Sequence, residues 1–360
     1  MKQGRTLTEL AVELERQRNA KKDYLIDTSL LHMDAGTDNM LFSMRNDQTG
    51  ETTILRVNDV AHSQIRQYLG ISSKYYDKML THNSELLAQN VNSWFEKEPE
   101  RRMVRSLDGT ARAFLSDRYR RIDNLQIAQA VLPVLAEIEG ARIESCEITD
   151  QRMYIKVVNE RLTTDVVPGD TVQSGILITN SEVGLGAMTV QPLVYRLVCT
   201  NGMVVNDAKM RKYHVGRGNE ADEDYTLYSN ETLIADDKAL MLKVQDTVKA
   251  VVDKTRFEKV VGMMRQAKDV NITTQNIPAM VEMASADFGY TKKEGEGILD
   301  YLIRGGDLSL YGFANATTRF AQDVDSYDRS TALESIGYTI LGMSPSKWKK
   351  LNTTPAEAVA

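Results

Sequence analysis

The chain has 360 residues, a formal net charge of −6, 42% hydrophobic and 26% charged residues, and two cysteines. This length accommodates two or three compact units, because a single core stops growing near roughly 250–300 residues, and the composition excludes disordered and fibrous classes. The acidic balance excludes a global positive field, so any nucleic-acid contact has to be local, while Cys146 and Cys199 are too few for a disulfide framework or a four-thiolate zinc site and point to a reducing cytoplasm with no metal.

The N-terminus, MKQGRTLTELAVELERQRNAKKD, has no signal-peptide core, and no apolar run in the chain reaches the ~20 residues of a membrane helix, so a cytosolic protein is expected. Leu7, Leu10, Ala11 and Leu14 keep helical spacing among charges and predict an amphipathic helix or arm over residues 1–23. MLFSMR and TTILRV flank the turn-rich NDQTGE and predict a β-hairpin from Met40 to Val57. Asn58 or Asp59 then caps a helix that ends at Gly70, and a second helix starts after Ser72 or Ser73. Helix, turn and helix in this order read as an ordinary αα corner more readily than as a DNA-binding motif. His62 and His82 lack partners at ligand spacing and read as core or surface histidines, and with His32 and His214 they are scattered along the chain.

Residues 101–121, RRMVRSLDGTARAFLSDRYRR, place MVRSL and ARAFLS on either side of Asp108-Gly109, the signature of a tight hairpin. A helix follows in NLQIAQAVLPVLAEIEG, then strands in SCEIT, MYIKVV, GILITN and PLVYRLVCTNGMVV. GRGNEADEDY, with Glu220, Asp222, Glu223 and Asp224, lacks the glycine and terminal glutamate of a calcium loop and reads as an exposed acidic linker. Leu240, Val244, Val248, Val251 and Val252 then predict a long helix running to about Lys268. Thr291 and Glu294 form a capping-box pattern before KKEGEGILDYLI, and LYGFANATTRFAQD and STALESIGYTIL add two helices. The expected fold class is α+β: an antiparallel sheet with packed helices in the middle region and a helical C-terminal unit. Its expected segments are an arm or helix over 1–23, a hairpin with helices over 24–100, a central domain over 101–215, a linker over 216–235, a helical unit over 236–350 and a disordered tail over 351–360.

Three places invite a chemical reading. ITNSEVGLGAMTV carries Gly184 and Gly186 after a β-branched run, but no Lys-Ser/Thr pair follows as in a P-loop and no third glycine as in a dinucleotide loop. A structural turn between strands is the simpler reading, with Glu182 held as a weak candidate base. Cys199 can be a nucleophile only near a polarising group; in an apolar strand a thiol is usually inert. The third place is the arginine hairpin, with seven arginines against two aspartates over residues 101–121. Guanidinium forks match phosphate oxygens and aromatic faces stack on unpaired bases. Arg101, Arg102, Arg105, Arg112, Arg118, Arg120 and Arg121 are therefore the expected phosphate contacts, Phe114 and Tyr119 the expected stacking residues, and Arg196 a further candidate. The competing use of such a hairpin is internal ion pairing or an oligomer interface.

ARAFLSDRYRRIDN, GILITNSEVGLGAMTVQPLVYRLVCTNGMVV and LYGFANATTRFAQD resemble the signatures of the phage- and plasmid-borne proteins catalogued as domain of unknown function nine hundred thirty-two, from about Asp59 to about Leu341. The resemblance implies a bacterial mobile-element protein and supplies no catalytic residue. Its recurrent block holds Asn180, Ser181, Glu182, Gly184, Gly186, Arg196, Asn201 and Gly202. The outline of hairpin, helix and antiparallel strands is also similar to Rad-type single-strand annealing proteins, an analogy of fold alone. The expectation is a cofactor-independent protein that binds single-stranded DNA or RNA as a homo-oligomer and serves recombination, annealing or replication. The alternatives are a protein that binds a host or virion partner, and a hydrolase or nuclease using Glu182.

Overall fold

The computed structural model describes residues 1–37, 39–45, 51–119, 121–206, 214–215, 230–251 and 253–353. Helix α1 (Leu7–Ala20) begins where Thr6 and Glu9 cap each other reciprocally, and it buries Leu10 and Leu14. The chain then enters a six-stranded sheet built from β1 (Lys22–Asp27), β2 (Leu31–Ala35), β3 (Met40–Arg45), β4 (Thr52–Val57), β5 (Arg101–Leu107) and β6 (Thr110–Ser116), ordered β1-β5-β6-β4-β3-β2. β3–β4 and β5–β6 are the two expected hairpins. In the second, Asp108 and Gly109 both take positive φ, +50° and +72°, which a two-residue primed turn requires.

Strand β4 pairs with β6 in parallel, a connection that antiparallel hairpins cannot make and that needs a crossover. Helices α2 (Asp59–Tyr68), α3 (Ser73–His82) and α4 (Ser84–Lys97) supply it. Asn58 caps α2 by accepting from Ala61 N at 2.9 Å. The helices cover one face of the sheet, where Phe42, Leu55, Val104 and Phe114 meet Ile65, Leu87, Val91 and Phe95. His62 lies in this layer with Nδ1 2.8 Å from the Tyr76 hydroxyl, and burial pushes its pKa down to about 4 against the opposing pull of Asp59 and Asp77.

The second sheet is an antiparallel meander of β7 (Ala141–Ile148), β8 (Met153–Asp165), β9 (Thr171–Asn180), β10 (Met188–Arg196) and β11 (Asn201–Val204), with the short β12 (His214–Val215) paired to β10. Both its faces are covered, which explains why its strands read as apolar runs. On one face Met153, Ile155 and Val157 pack with α1, α5 (Asn124–Glu137) and α6 (Asn230–Val251). On the other, Tyr154, Val158, Leu177 and Tyr195 meet Tyr327 of α11 (Tyr327–Leu341), while Val172, Val194 and Met203 join the core of the C-terminal helices α7 (Lys254–Lys268), α8 (Ile277–Phe288), α9 (Lys292–Gly305), α10 (Leu310–Phe320), α11 and α12 (Pro345–Asn352). Lys156 points into this second face and meets Glu334 of α11 at 2.6 Å, both fully buried.

The architecture is thus mixed α and β, with antiparallel sheets, one parallel pair and a helical C-terminal region. One expectation changes. The long helix predicted to reach Lys268 is divided, because Asp253 accepts from Thr255 N and Arg256 N and so starts α7 anew. Its first half, α6, packs with α5 and the second sheet, in a cluster separate from the core of the other C-terminal helices. Among the described residues no helix is long and apolar enough to cross a membrane.

Candidate nucleic-acid interface

Two of the arginines expected to meet phosphates turn into the protein instead. Arg105 is 0% exposed. Its Nε donates to Asp23 at 2.9 Å, its Nη2 to Asp123 at 2.8 Å and its Nη1 to the Glu182 carbonyl at 2.9 Å. Arg112, 8% exposed, directs Nη2 to Glu182 Oε2 at 2.5 Å. The other oxygen of Glu182 accepts the Asn124 N–H at 2.6 Å, at the start of α5, and lies 3.6 Å from Lys21 Nζ. Lys21 also meets Asp123 at 2.5 Å, and Arg121 meets Asp23 at 3.1 Å. Burial raises the Asp123 carboxyl, but the hydrogen bonds from Lys21 and Arg105 outweigh it and hold its pKa below the usual value.

Lys21, Arg105, Arg112 and Arg121 thus face Asp23, Asp123 and Glu182 in one network joining β1, the hairpin, α5 and the turn after β9. A buried guanidinium already satisfied by carboxylates would leave them uncompensated if it turned to a phosphate. Arg105 and Arg112 are therefore joints rather than contacts.

Phe114 is corrected in the same way. Its ring is 1% exposed and stacks on Phe95 at 5.6 Å with an interplanar angle of 12°, which leaves no face for a base. Arg196 lies in the second sheet, where Nε and Nη2 bind Asp170 at 2.5 and 3.0 Å, and Tyr311 donates to the same carboxylate at 2.8 Å. Cys199 sits in the turn after β10 rather than in a strand, with Arg196 Nη1 3.3 Å from its sulfur. Cys146 is buried, which pushes its thiol up to about 11.

Arg101, Arg102 and Arg118 gather at the open end of the hairpin. Arg101 and Arg118 are exposed, and neither guanidinium makes an ion pair among the described residues. Arg121 keeps an exposed side chain beside Asp23. The Arg102 guanidinium lies 4.5 Å over the Tyr68 ring and 5.0 Å over Phe114, with Glu100 at 3.8 Å, and burial lowers its pKa. Tyr119 is half-buried and donates to the Ser181 carbonyl at 3.3 Å. Arg120, the acidic residues Glu220, Asp222, Glu223 and Asp224, the His214 side chain and residues 354–360 lie outside the described residues.

The recurrent block turns out to be a set of joints. Asn180 Nδ2 donates to Ile122 O and Asn124 Oδ1, each at 2.9 Å, and Ser181 Oγ donates to Gln151 O at 2.8 Å. Gly184 and Gly186 take φ of +75° and +131° in a turn from β9 to β10. Asn201 donates to Thr318 at 2.5 Å, and Gly202 makes room for the Met1 side chain. Glu182, 4% exposed and engaged by Arg112, Lys21 and a helix N–H, is not presented to a substrate.

Sequence reasoning did not single out Lys21, Asp23, Asp123 or Arg152. Asp123 had a signal, since Asp123 and Gln126 form a capping box on α5. Arg152 had none: its guanidinium bonds the Leu185 carbonyl across the turn, and a Cβ at Gly186 would lie 2.7 Å from its Nη2.

Residues 112–342 match the model of the family described as Domain of unknown function (DUF932), well over half of the chain. The chain belongs to that family. The DUF932 match begins at Arg112, inside the first sheet, and so takes in Glu182, its partners Arg112 and Asn124, the whole second sheet and α7 to α11. Arg101, Arg102 and Arg105 precede it. No curated protein and no solved structure matches the chain.

Proposed function

We propose that the chain binds single-stranded nucleic acid at the open end of the arginine hairpin. One observation carries the reading: Arg101, Arg102 and Arg118 collect at one end of a two-stranded unit, in a chain whose net charge is −6. Arg101 and Arg118 have exposed guanidiniums that no described carboxylate neutralises, so phosphate oxygens can take both without breaking an internal pair. In this reading the protein is a cofactor-independent accessory of recombination, annealing or replication in a bacterial cytoplasm, assembled as a homo-oligomer. Contact to the strand backbone makes affinity fall with salt.

The test is anisotropy of labelled single- and double-stranded oligonucleotides at low and physiological salt, with an Arg101→Ala, Arg118→Ala double variant beside the parent. The variant should keep its thermal stability, lose affinity and lose about 1.4 from the slope of log affinity against log salt, roughly 0.7 for each contact to a single strand. No binding by the parent at low salt rejects the reading.

A further inference from the structure

We propose that Arg152 and the tip Gly184–Ala187 form a phosphodiester-binding subsite for an extended single strand. The inference rests on the nucleic-acid reading and adds to it a residue and a geometry. Three loops converge at this end of the molecule: the one after β6, the turn Thr149–Arg152 and the turn Ser181–Ala187. Ser181 clasps them, donating from Oγ to Gln151 O at 2.8 Å and accepting from the Tyr119 hydroxyl at 3.3 Å.

Arg152 is fixed from both sides. Its N–H donates to Thr149 Oγ1 at 3.1 Å, its carbonyl accepts from Thr149 N at 2.9 Å, and Nη2 donates to the Leu185 carbonyl. The residue is half-buried and forms no ion pair among the described residues, although Asp117 and Asp150 are exposed on the same loops. A charged fork already immobilised, with donors left over, binds an oxyanion without the ordering cost of a free arginine.

The two glycines give this arrangement its shape. At Gly186, with φ of +131°, a Cβ would stand 2.7 Å from Nη2 and 3.1 Å from Nη1 of Arg152, so a side chain there would push the guanidinium off the turn. Gly184, Gly186 and Ala187 are exposed and carry almost no side chain, which allows close approach of a strand backbone. Tyr119 and Gln64 hold the turn from beneath, Gln64 Nε2 donating to Val183 O at 2.7 Å.

The test uses the full chain and labelled oligothymidine at low and physiological salt. Arg152→Gln should weaken binding about 5- to 10-fold, the worth of one charge-assisted contact, and reduce the salt slope by about 0.7. Gly186→Ala changes no charge, yet should weaken binding comparably because its Cβ displaces the guanidinium. Arg152→Lys should keep the slope and recover part of the affinity. If the parent binds while Arg152→Gln and Gly186→Ala match it in affinity and slope, the subsite is overturned and the broader reading stands. A parent that binds no oligothymidine overturns both. Thermal melts establish that each variant is folded; if Gly186→Ala is not, the Gln and Lys variants at Arg152 decide alone.

Discussion

Replacing Glu182 by glutamine tests whether the buried network holds the two sheets together. The amide keeps the shape and can still accept the Asn124 N–H, but it turns an NH2 toward Arg112 Nη2, which in the parent donates to Glu182 Oε2 at 2.5 Å. Arg112 is 8% exposed and its Nε already lacks a hydrogen-bond partner, so losing the carboxylate strands a buried cation. Removing one partner of such a pair costs about 3–5 kcal/mol; the accepting bond that survives puts the expected loss near 3 kcal/mol. Arg112→Met should cost a similar amount by stranding the carboxylate. In the double variant no buried charge is left opposing a donor, so roughly 2 kcal/mol should return as coupling between the two sites. Urea unfolding measures all four proteins. Trp94 in α4 and Trp348 in α12 report on different layers, and their coincidence with far-UV circular dichroism checks that one transition is being compared. Single losses below about 1 kcal/mol that simply add would refute the argument.

His62, with its pKa pushed down to about 4 from an ordinary 6.5, is neutral in the fold while the unfolded chain takes up a proton. Stability should therefore rise with pH between about 4 and 6.5, by up to roughly 3 kcal/mol, and His62→Gln should flatten that part of the curve in urea titrations across the range. Gly337→Ala places a Cβ 2.3 Å from Thr318 Cγ2 between α10 and α11; overpacking of about 1–3 kcal/mol should exceed the helix-propensity gain of about 1 kcal/mol and lower the melting temperature. Arg105→Met should lower stability by several kcal/mol, whereas Arg118→Ala should leave the melt unchanged and weaken oligonucleotide binding.

Elements set by their nearest neighbours were legible in the sequence. The hairpin at Asp108-Gly109, the Asn58 cap of α2 and the Thr291–Glu294 box of α9 each depend on groups within a few residues. Strand β1, with an irregular burial pattern, lacks such punctuation and was not anticipated; helix α4 was not anticipated either, although Asn83, the one residue between it and α3, caps it locally. The parallel pairing of β4 with β6 had no local signal either. The arginines divide along the same line. Whether a guanidinium meets water or a carboxylate depends on Asp23, 82 residues from Arg105, and on Glu182, 70 residues from Arg112, and composition within the hairpin is silent about both. That a turn follows β9 was legible in Gly184 and Gly186, but its contacts with the loop after β6 and with Gln151 and Arg152 were not.

The DUF932 match opens at Arg112, in the strand that sits between β5 and β4. The segment that recurs among relatives is therefore not the segment that folds as a unit here. A fragment cut at that point would keep most of β6 but lose the strands on either side of it, leaving a row of unpaired amides beside Ala113, Phe114 and Leu115. Such an edge recruits other chains. For expression or crystallisation, the shortest sensible piece starts upstream of β1, however the family's borders are drawn.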